Sequence, residues 1–439
     1  MTSRIHSARL NVTGALQARA SHTFASLGVH NYRLYFVGQA ISLCGTWMQS
    51  IGQSLLVLHL TGSGVALGLV TGLQFAPVLF FAPLGGVLAD RFSKRKLLFI
   101  TQSVAGALAL ILGTLVATGA VRLWMVYVLA ASLGLVNSVD NPTRQTFVHE
   151  MVGGEQLGNA VTLNSIIVNA SRIVGPAIAG IVVARLGLAA CFFTNGVSFI
   201  AVLLCLAMMR ASELARSAPV TAAKGQLRAG FAYAWKTPIV RDVLLMLALV
   251  GTFSYEFSVT LPLLAHVTFS GTPSQVASSV AVLMSSMGAG AVLGGLYTAS
   301  RHKATMEALT ASAFGFGVAI ALVALSPAIG WAAVAMGVVG FFSVSFSALT
   351  NTILQVSTGA HMRGRVMALW AMAFMGATVI GAPIIGWVGQ NIGPRWSLAI
   401  GALAAVLAGV RGMTSARAHA AGLASAQASM APIEQEARA

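Results

Sequence analysis

Charge is what this chain has least of. Only 8% of its 439 residues are Asp, Glu, Lys or Arg, and just 10 are acidic, whereas an ordinary soluble domain carries about a quarter charged residues. A surface so poor in charge cannot face water, which excludes a soluble globular protein of this length. Cysteine is scarce too. Cys44, Cys191 and Cys205 fall inside apolar runs without metal-like spacing, which excludes a disulfide scaffold or metal site and leaves them as small core residues. No Gly-x-x-x-x-Gly-Lys-Ser/Thr loop is present, so a nucleotide-driven pump within this chain is excluded. The short alternating segments of a membrane barrel are missing as well. The first 33 residues are polar and basic with no separate apolar core, as expected of a cytoplasmic tail and not of a cleaved signal peptide.

What is present is apolar. Hydrophobic residues make up 57% of the chain, mean hydropathy is +0.83, and runs long enough to cross a hydrocarbon core about 30 Å thick recur along it. The expected fold is therefore an all-α polytopic membrane protein with twelve transmembrane helices. Spans 1 to 6 are read at 34–58, 65–89, 97–117, 123–147, 160–184 and 189–209. Spans 7 to 12 are read at 243–265, 275–299, 307–326, 331–357, 366–390 and 395–410. The domain organisation follows: a basic tail (1–33), a six-helix bundle (34–209), a central cytoplasmic loop (210–241), a second six-helix bundle (242–410) and a flexible cytoplasmic tail (411–439). Within the central loop, "LRAGFAYAW" suits a short interfacial helix.

Net charge is +16, but the bases lie between apolar runs and form no single patch, so a lipid bilayer is the expected partner and nucleic acid is not. With the N-terminus inside, cytoplasmic segments hold 22 of the 26 Lys and Arg, while the opposite loops hold only Arg122, Arg185 and Arg395. By the positive-inside rule both termini are cytoplasmic. "RIVGPAIAGIVVARLG" (172–187) and "TVIGAPIIGWVGQNIG" (378–393) match at five of sixteen positions with an offset of 206 residues. They fall in spans 5 and 11, which implies a parallel repeat: two six-helix bundles related by a pseudo-twofold axis along the membrane normal.

One stretch concentrates the charge. "GGVLADRFSKRK" places Asp90, Arg91, Lys94, Arg95 and Lys96 between spans 2 and 3. It resembles the signature loop of the major facilitator superfamily, Gly-x-Leu-Ala-Asp-Arg-x-Gly-Arg-Lys, through Gly86, Leu88, Ala89, Asp90, Arg91, Lys94 and Arg95, with Ser93 replacing the second glycine. "NYRLYFVGQAISLCGTWM", "DNPTRQTFV", "NASRIVGPAIAG" and "MRGRVMALW" resemble one branch, the bacterial enterobactin-exporter-like transmembrane secretion effectors. The resemblance implies a secondary active transporter, an alternating-access exporter of small organic molecules such as drugs, siderophores or metabolites. It further implies proton antiport, a bacterial cell membrane and a monomer, with no cofactor and no metal. An importer of the same fold stays open. An intramembrane enzyme or a non-transporting receptor fits poorly, because no catalytic group has a companion motif.

The resemblance also implies a cytoplasmic gate of Gly86, Asp90, Arg91, Lys94, Arg95 and Arg144. In the family such a loop latches the halves: Asp90 would cap span 11 or pair with a base, and Lys94 or Arg95 would reach an acid near the end of span 4. Asp140 is the obvious candidate, although Arg144 at i+4 also suits it for a local ion pair. The second copy of the loop has Ala299 where Asp90 aligns, so the latch is lopsided.

Ionisable groups inside spans are costly and mark pathways or relays. Glu256 in span 7 is the first proton-coupling candidate and Asp140 the second; for Glu256 a permanent ion pair or a substrate contact is the alternative. Arg172 in span 5, with Asn169 at i−3, is either a substrate or anion contact or a structural partner for one carboxylate. Gln39, Gln49 and Gln53 form a polar stripe on span 1 that lines a cavity or glues helices together. Tyr255, with its aromatic neighbours Phe253 and Phe257, suits an aromatic ligand or plain packing. Gly175, Pro176 and Gly180 in span 5 resemble an antiporter glycine–proline motif, echoed by Gly381, Pro383 and Gly386 in span 11, as hinge or packing residues. The arginine that many proton-coupled drug exporters of the superfamily carry in mid-span 4 is missing; Ala130 stands there.

Overall fold

The fold is taken from a computed structural model, which describes residues 25–215, 226–269, 272–301 and 304–436. Every regular element among these residues is helical. Spans 1 to 6 are His30–Thr61, Gly64–Arg91, Lys94–Ala117, Leu123–Val152, Leu157–Leu186 and Leu188–Met208. Span 7 is made of two helices, Pro238–Phe253 and Phe257–Val267. Spans 8 to 10 are Pro273–Ser300, Met306–Leu325 and Ile329–Ser357. Span 11 runs Ala360–Asn391 through a π-helical turn at Met372–Gly376, and span 12 is Pro394–Glu436. Eleven of the twelve are long and apolar enough to cross a membrane; span 1, diluted by Gln39, Gln49 and Gln53, is the other.

The joints follow local chemistry. Span 1 stops at Gly62, whose φ of +63° an L side chain rarely adopts, and Ser63 then caps span 2 by accepting from the Ala66 N–H at 3.2 Å. Gly187, at φ +82°, is the sole residue between spans 5 and 6. Thr272 and Gln275 form a capping box at the start of span 8.

Hydropathy placed several base-rich helix ends too far in. Span 1 begins at 30, span 7 at 238 and span 11 at 360, and span 4 runs on to 152. A hydropathy window marks the hydrocarbon crossing, whereas the helix continues into polar surroundings, so His149 and Glu150 are helical and not in a loop. The central segment does hold a short helix, Gln226–Lys236, which lies against the start of span 11 with Gly230 beside Arg365. Residues 216–225, like 1–24, lie outside the described part. Helix also continues past 410, where a flexible tail was expected: the sequence there is rich in Ala, the strongest helix former. Arg411 holds this part to span 7 through Asp242 Oδ1 at 2.6 Å. The end of the basic tail is packed too, with Ser26 buried and its hydroxyl 2.7 Å from Asn159.

The halves repeat each other in space. Spans 2 and 4 pack together as 8 and 10 do, spans 3 and 6 as 9 and 12 do, and the halves meet where 2 packs on 11 and 5 on 8. Both cross-half pairs rest on glycine: a Cβ at Gly64 would lie 2.5 Å from the Gly386 carbonyl oxygen, and one at Gly180 would lie 2.8 Å from the Ala281 Cβ. Large side chains such as Leu186, Leu325 and Trp331 point outward, at 72%, 74% and 69% exposure, as a lipid-facing surface requires.

Among the described residues, the hydrogen bonds joining the halves run from mid-span to the base-poor end. Ser63 Oγ and the Val65 N–H both donate to Gln390 Oε1, at 2.6 and 3.1 Å. Ser285 Oγ donates to the Ile173 carbonyl at 2.9 Å, and Ser54 Oγ to the Ser258 carbonyl at 3.3 Å. That last carbonyl is free because Pro262, four residues on, has no N–H to give it. At the base-rich end Asp90 and Arg91 are exposed.

Candidate functional site

The middle of the molecule is where regular helix fails. Span 7 breaks at Ser254, Tyr255 and Glu256, and the π-helical turn of span 11 faces the break. The two approach closely: a Cβ at Gly251 would lie 2.6 Å from the Ala373 carbonyl, and one at Gly381 would lie 3.1 Å from Glu256 Oε1. Side chains hold the interrupted strand of backbone in place. Ser254 Oγ donates to the Gly401 carbonyl at 2.7 Å, and the Tyr255 hydroxyl donates to the Ser343 carbonyl at 2.6 Å. Discontinuous helices and π turns of this kind concentrate at functional sites in membrane proteins.

Glu256 is 2% exposed, and its Oε1 has no hydrogen-bond partner among the described residues. No Lys, Arg or His lies within ion-pair distance of it among the described residues. Across the interface stands Arg172, stacked 5.2 Å above the Trp47 ring. Its guanidinium makes no ion pair and no hydrogen bond among the described residues, and Nε is buried without a partner. Stacking on a desolvated ring returns about 2 kcal/mol, less than the several kcal/mol that burying a lone ion costs. From the second half, Tyr255 stands at the break in span 7. Beyond it runs an aromatic row: Tyr255 to Phe374 at 5.1 Å, edge-on, then Phe374 to Trp370 at 5.2 Å, stacked.

Other expected site residues are occupied elsewhere. The span 1 glutamines face neighbouring helices and not a cavity: Gln39 accepts from Arg144, Gln49 accepts from Asn195 at 2.6 Å, and Gln53 lies 3.5 Å from Gln74. All three are buried. Asn169 turns back on its own helix, donating to the Ser165 carbonyl at 2.9 Å. Asp140 is held by an ion pair with Arg144 and by donation from Thr101 Oγ1 at 2.6 Å and Gln102 Nε2 at 2.8 Å. A carboxylate with so many donors is a fixed node within the first half.

The loop between spans 2 and 3 is partly corrected. Lys94 pairs with Glu150 Oε1 at 2.6 Å, both buried, so the acid at the end of span 4 is Glu150 and not Asp140. Arg95 caps span 6, donating to the carbonyls of Leu206 at 2.7 Å and Ala207 at 2.9 Å, which end a helix without partners of their own. Gly86 has open space where a Cβ would go, whereas a Cβ on Gly85 would meet the Val139 Cα at 3.0 Å, so Gly85 is the glycine the packing requires. The glycines of spans 5 and 11 keep the repeat. Gly175 abuts span 1 and Gly180 span 8; 206 residues on, Gly381 abuts span 7 and Gly386 span 2. Pro176 is buried within span 5, whereas Pro383 is half-buried and lies beside Gly68 and Gly72 of span 2.

A family model described as transmembrane secretion effector matches residues 21–436. The chain belongs to this family of the major facilitator superfamily. Among its relatives, the enterobactin exporter EntS of Salmonella choleraesuis is 24% identical over 386 residues, covering 86% of this chain and 90% of that one. The multidrug efflux pump Tap of Mycolicibacterium fortuitum is 26% identical over 346 residues, covering 75% and 82%. Among solved structures, a bacterial homologue of the human lysosomal transporter Spinster, inward-facing and unoccupied, matches with a TM-score of 0.69 at 15% identity, over 88% of this chain and 97% of that one. The family member described here is thus a multi-pass membrane transporter and not an enzyme.

Glu150, Trp370 and Phe374 were not singled out from the sequence. Glu150 lies beyond the apolar run of span 4, and aromatic residues in a membrane span carry no mark that separates a ligand surface from packing.

Proposed function

We propose that this transporter is an exporter of small organic molecules driven by proton antiport, with Glu256 as the group that takes and releases the proton. One observation carries the reading: a carboxyl buried mid-membrane at a helix break, with an oxygen that no donor satisfies and no base beside it among the described residues. A carboxylate in such a place is costly, and protonation removes the cost. Asp140, the other candidate, is already taken up by Arg144, Thr101 and Gln102. The kinship with EntS and Tap supports export.

The chain would sit in the bacterial cell membrane as a monomer, with its base-rich end and both termini in the cytoplasm. In that orientation the contacts at the base-poor end close the outer side, and the exposed Asp90 and Arg91 belong to a latch that engages only when the halves rock together on the cytoplasmic side.

Whole-cell accumulation of a panel of lipophilic cations, antibiotics and catechol siderophores tests this, in cells expressing wild type or Glu256→Gln, with and without a protonophore. Export of a compound by wild type that is lost in the variant and lost with the protonophore supports the reading. Protonophore-sensitive export that survives Glu256→Gln moves the coupling to another acid.

A further inference from the structure

We propose that the central site takes an aromatic organic anion, its acidic group on Arg172 beside Trp47 and its ring on the row formed by Tyr255, Phe374 and Trp370. This rests on the transporter reading above and narrows its substrate class.

Three observations converge. The first is the lone cation. Among the described residues Arg172 has no acid within ion-pair distance, and its terminal nitrogens donate to none of them. Of its nitrogens, only Nε is both sealed and unpartnered, so the fork that binds carboxylates and related anions stays accessible. The second is orientation. The guanidinium carbon lies over the Trp47 ring, 5.2 Å from its centroid, a cation–π contact that restrains the side chain before a ligand arrives. The third is the surface beside it. Tyr255, Phe374 and Trp370 are each only partly buried, and their rings follow one another at 5.1 and 5.2 Å. Span 11 runs from base-rich to base-poor end, so Trp370 is the base-rich end of the row and Arg172 with Tyr255 its inner end. A flat apolar ring entering from the base-rich side would pass Trp370 and Phe374 before reaching Tyr255.

The charge pattern also disfavours a cationic ligand. Glu256, the acid nearest this row, turns toward Thr378 and Gly381 in span 11, and Asp140 is committed to Arg144.

The test uses two dyes that share a xanthene ring and differ in charge, fluorescein (anionic) and rhodamine 6G (cationic). Equilibrium binding to the purified full-length protein in lipid nanodiscs is followed by fluorescence anisotropy. Wild type is expected to bind fluorescein at least about tenfold more tightly than rhodamine 6G, the worth of one charge-assisted contact. Arg172→Gln should erase that preference, and Arg172→Lys, which keeps the charge and loses the fork, should restore part of it. Equal or tighter binding of rhodamine 6G to wild type, binding of neither dye, or a preference that survives Arg172→Gln overturns the proposal. Should Arg172→Gln fail to fold, the wild-type preference and its weakening in Arg172→Lys decide. Binding at equilibrium involves no gradient, so this proposal and proton-coupled export fail independently.

Discussion

Arg172 and Thr378 occupy equivalent places in the two halves, 206 residues apart in the aligned repeat of spans 5 and 11. Arg172 lies over the Trp47 ring of span 1, and Thr378 lies three residues before Gly381, where a Cβ would come within 3.1 Å of Glu256 Oε1 of span 7. The same helix pair has thus been given a cation in one half and an acid in the other. Neither charge neutralises the other, and each stands where a helix neighbour could exchange a different partner: an anion for Arg172, a proton for Glu256.

Because Arg172 is a cation with no counter-charge among the described residues, it costs stability. Arg172→Leu is expected to raise the thermal midpoint of the detergent-purified protein, by an amount corresponding to roughly 2 kcal/mol, while lowering transport at least about tenfold, as loss of one charge-assisted contact does. A thermal unfolding scan beside a transport assay reads both. A lower midpoint would mean that Arg172 has a stabilising partner.

Lys94 and Glu150 form the opposite case, a buried pair that is satisfied. Lys94→Met leaves a buried carboxylate without its closest cation and should cost about 3 kcal/mol. In a double-mutant cycle, Lys94→Met with Glu150→Leu should recover most of it. Losses that simply add would show that the two side chains do not couple.

How much of this was legible beforehand differs by feature. The twelve spans, the repeat and the ion pair of Asp140 with Arg144 follow from run length, a fixed offset and i,i+4 spacing, all of which are local. The break in span 7 was invisible, because three residues in a long apolar run barely change its hydropathy and neither Gly nor Pro occupies positions 254 to 256. Gln39, Gln49 and Gln53 were ambiguous for a chemical reason: an amide both donates and accepts, so it suits a wet cavity and a helix seam equally. Only the neighbours Arg144, Asn195 and Gln74, far away in sequence, decide for the seam.

The seam between spans 2 and 11 gives a conformational prediction. At Gly386 a Cβ would run into the backbone of Gly64, so Gly386→Val should hold the base-poor end apart. In a Ser63→Cys background, a membrane-impermeant thiol reagent applied from that side should label Cys at 63 several-fold faster once Gly386→Val is added. Transport should fall as well, since one of the two states is blocked. Unchanged labelling would show that the seam closes without this glycine.

The account turns on Glu256, and proteoliposomes test it most directly. They would be loaded with a pH-sensitive dye and given the compound that whole-cell accumulation identifies as exported. Wild type should couple movement of that compound to movement of protons. Glu256→Gln should still exchange the compound across the membrane when it is present on both sides, yet move no protons with it and lose the response to an imposed pH gradient. Proton movement that persists in Glu256→Gln at the wild-type ratio would contradict the assignment.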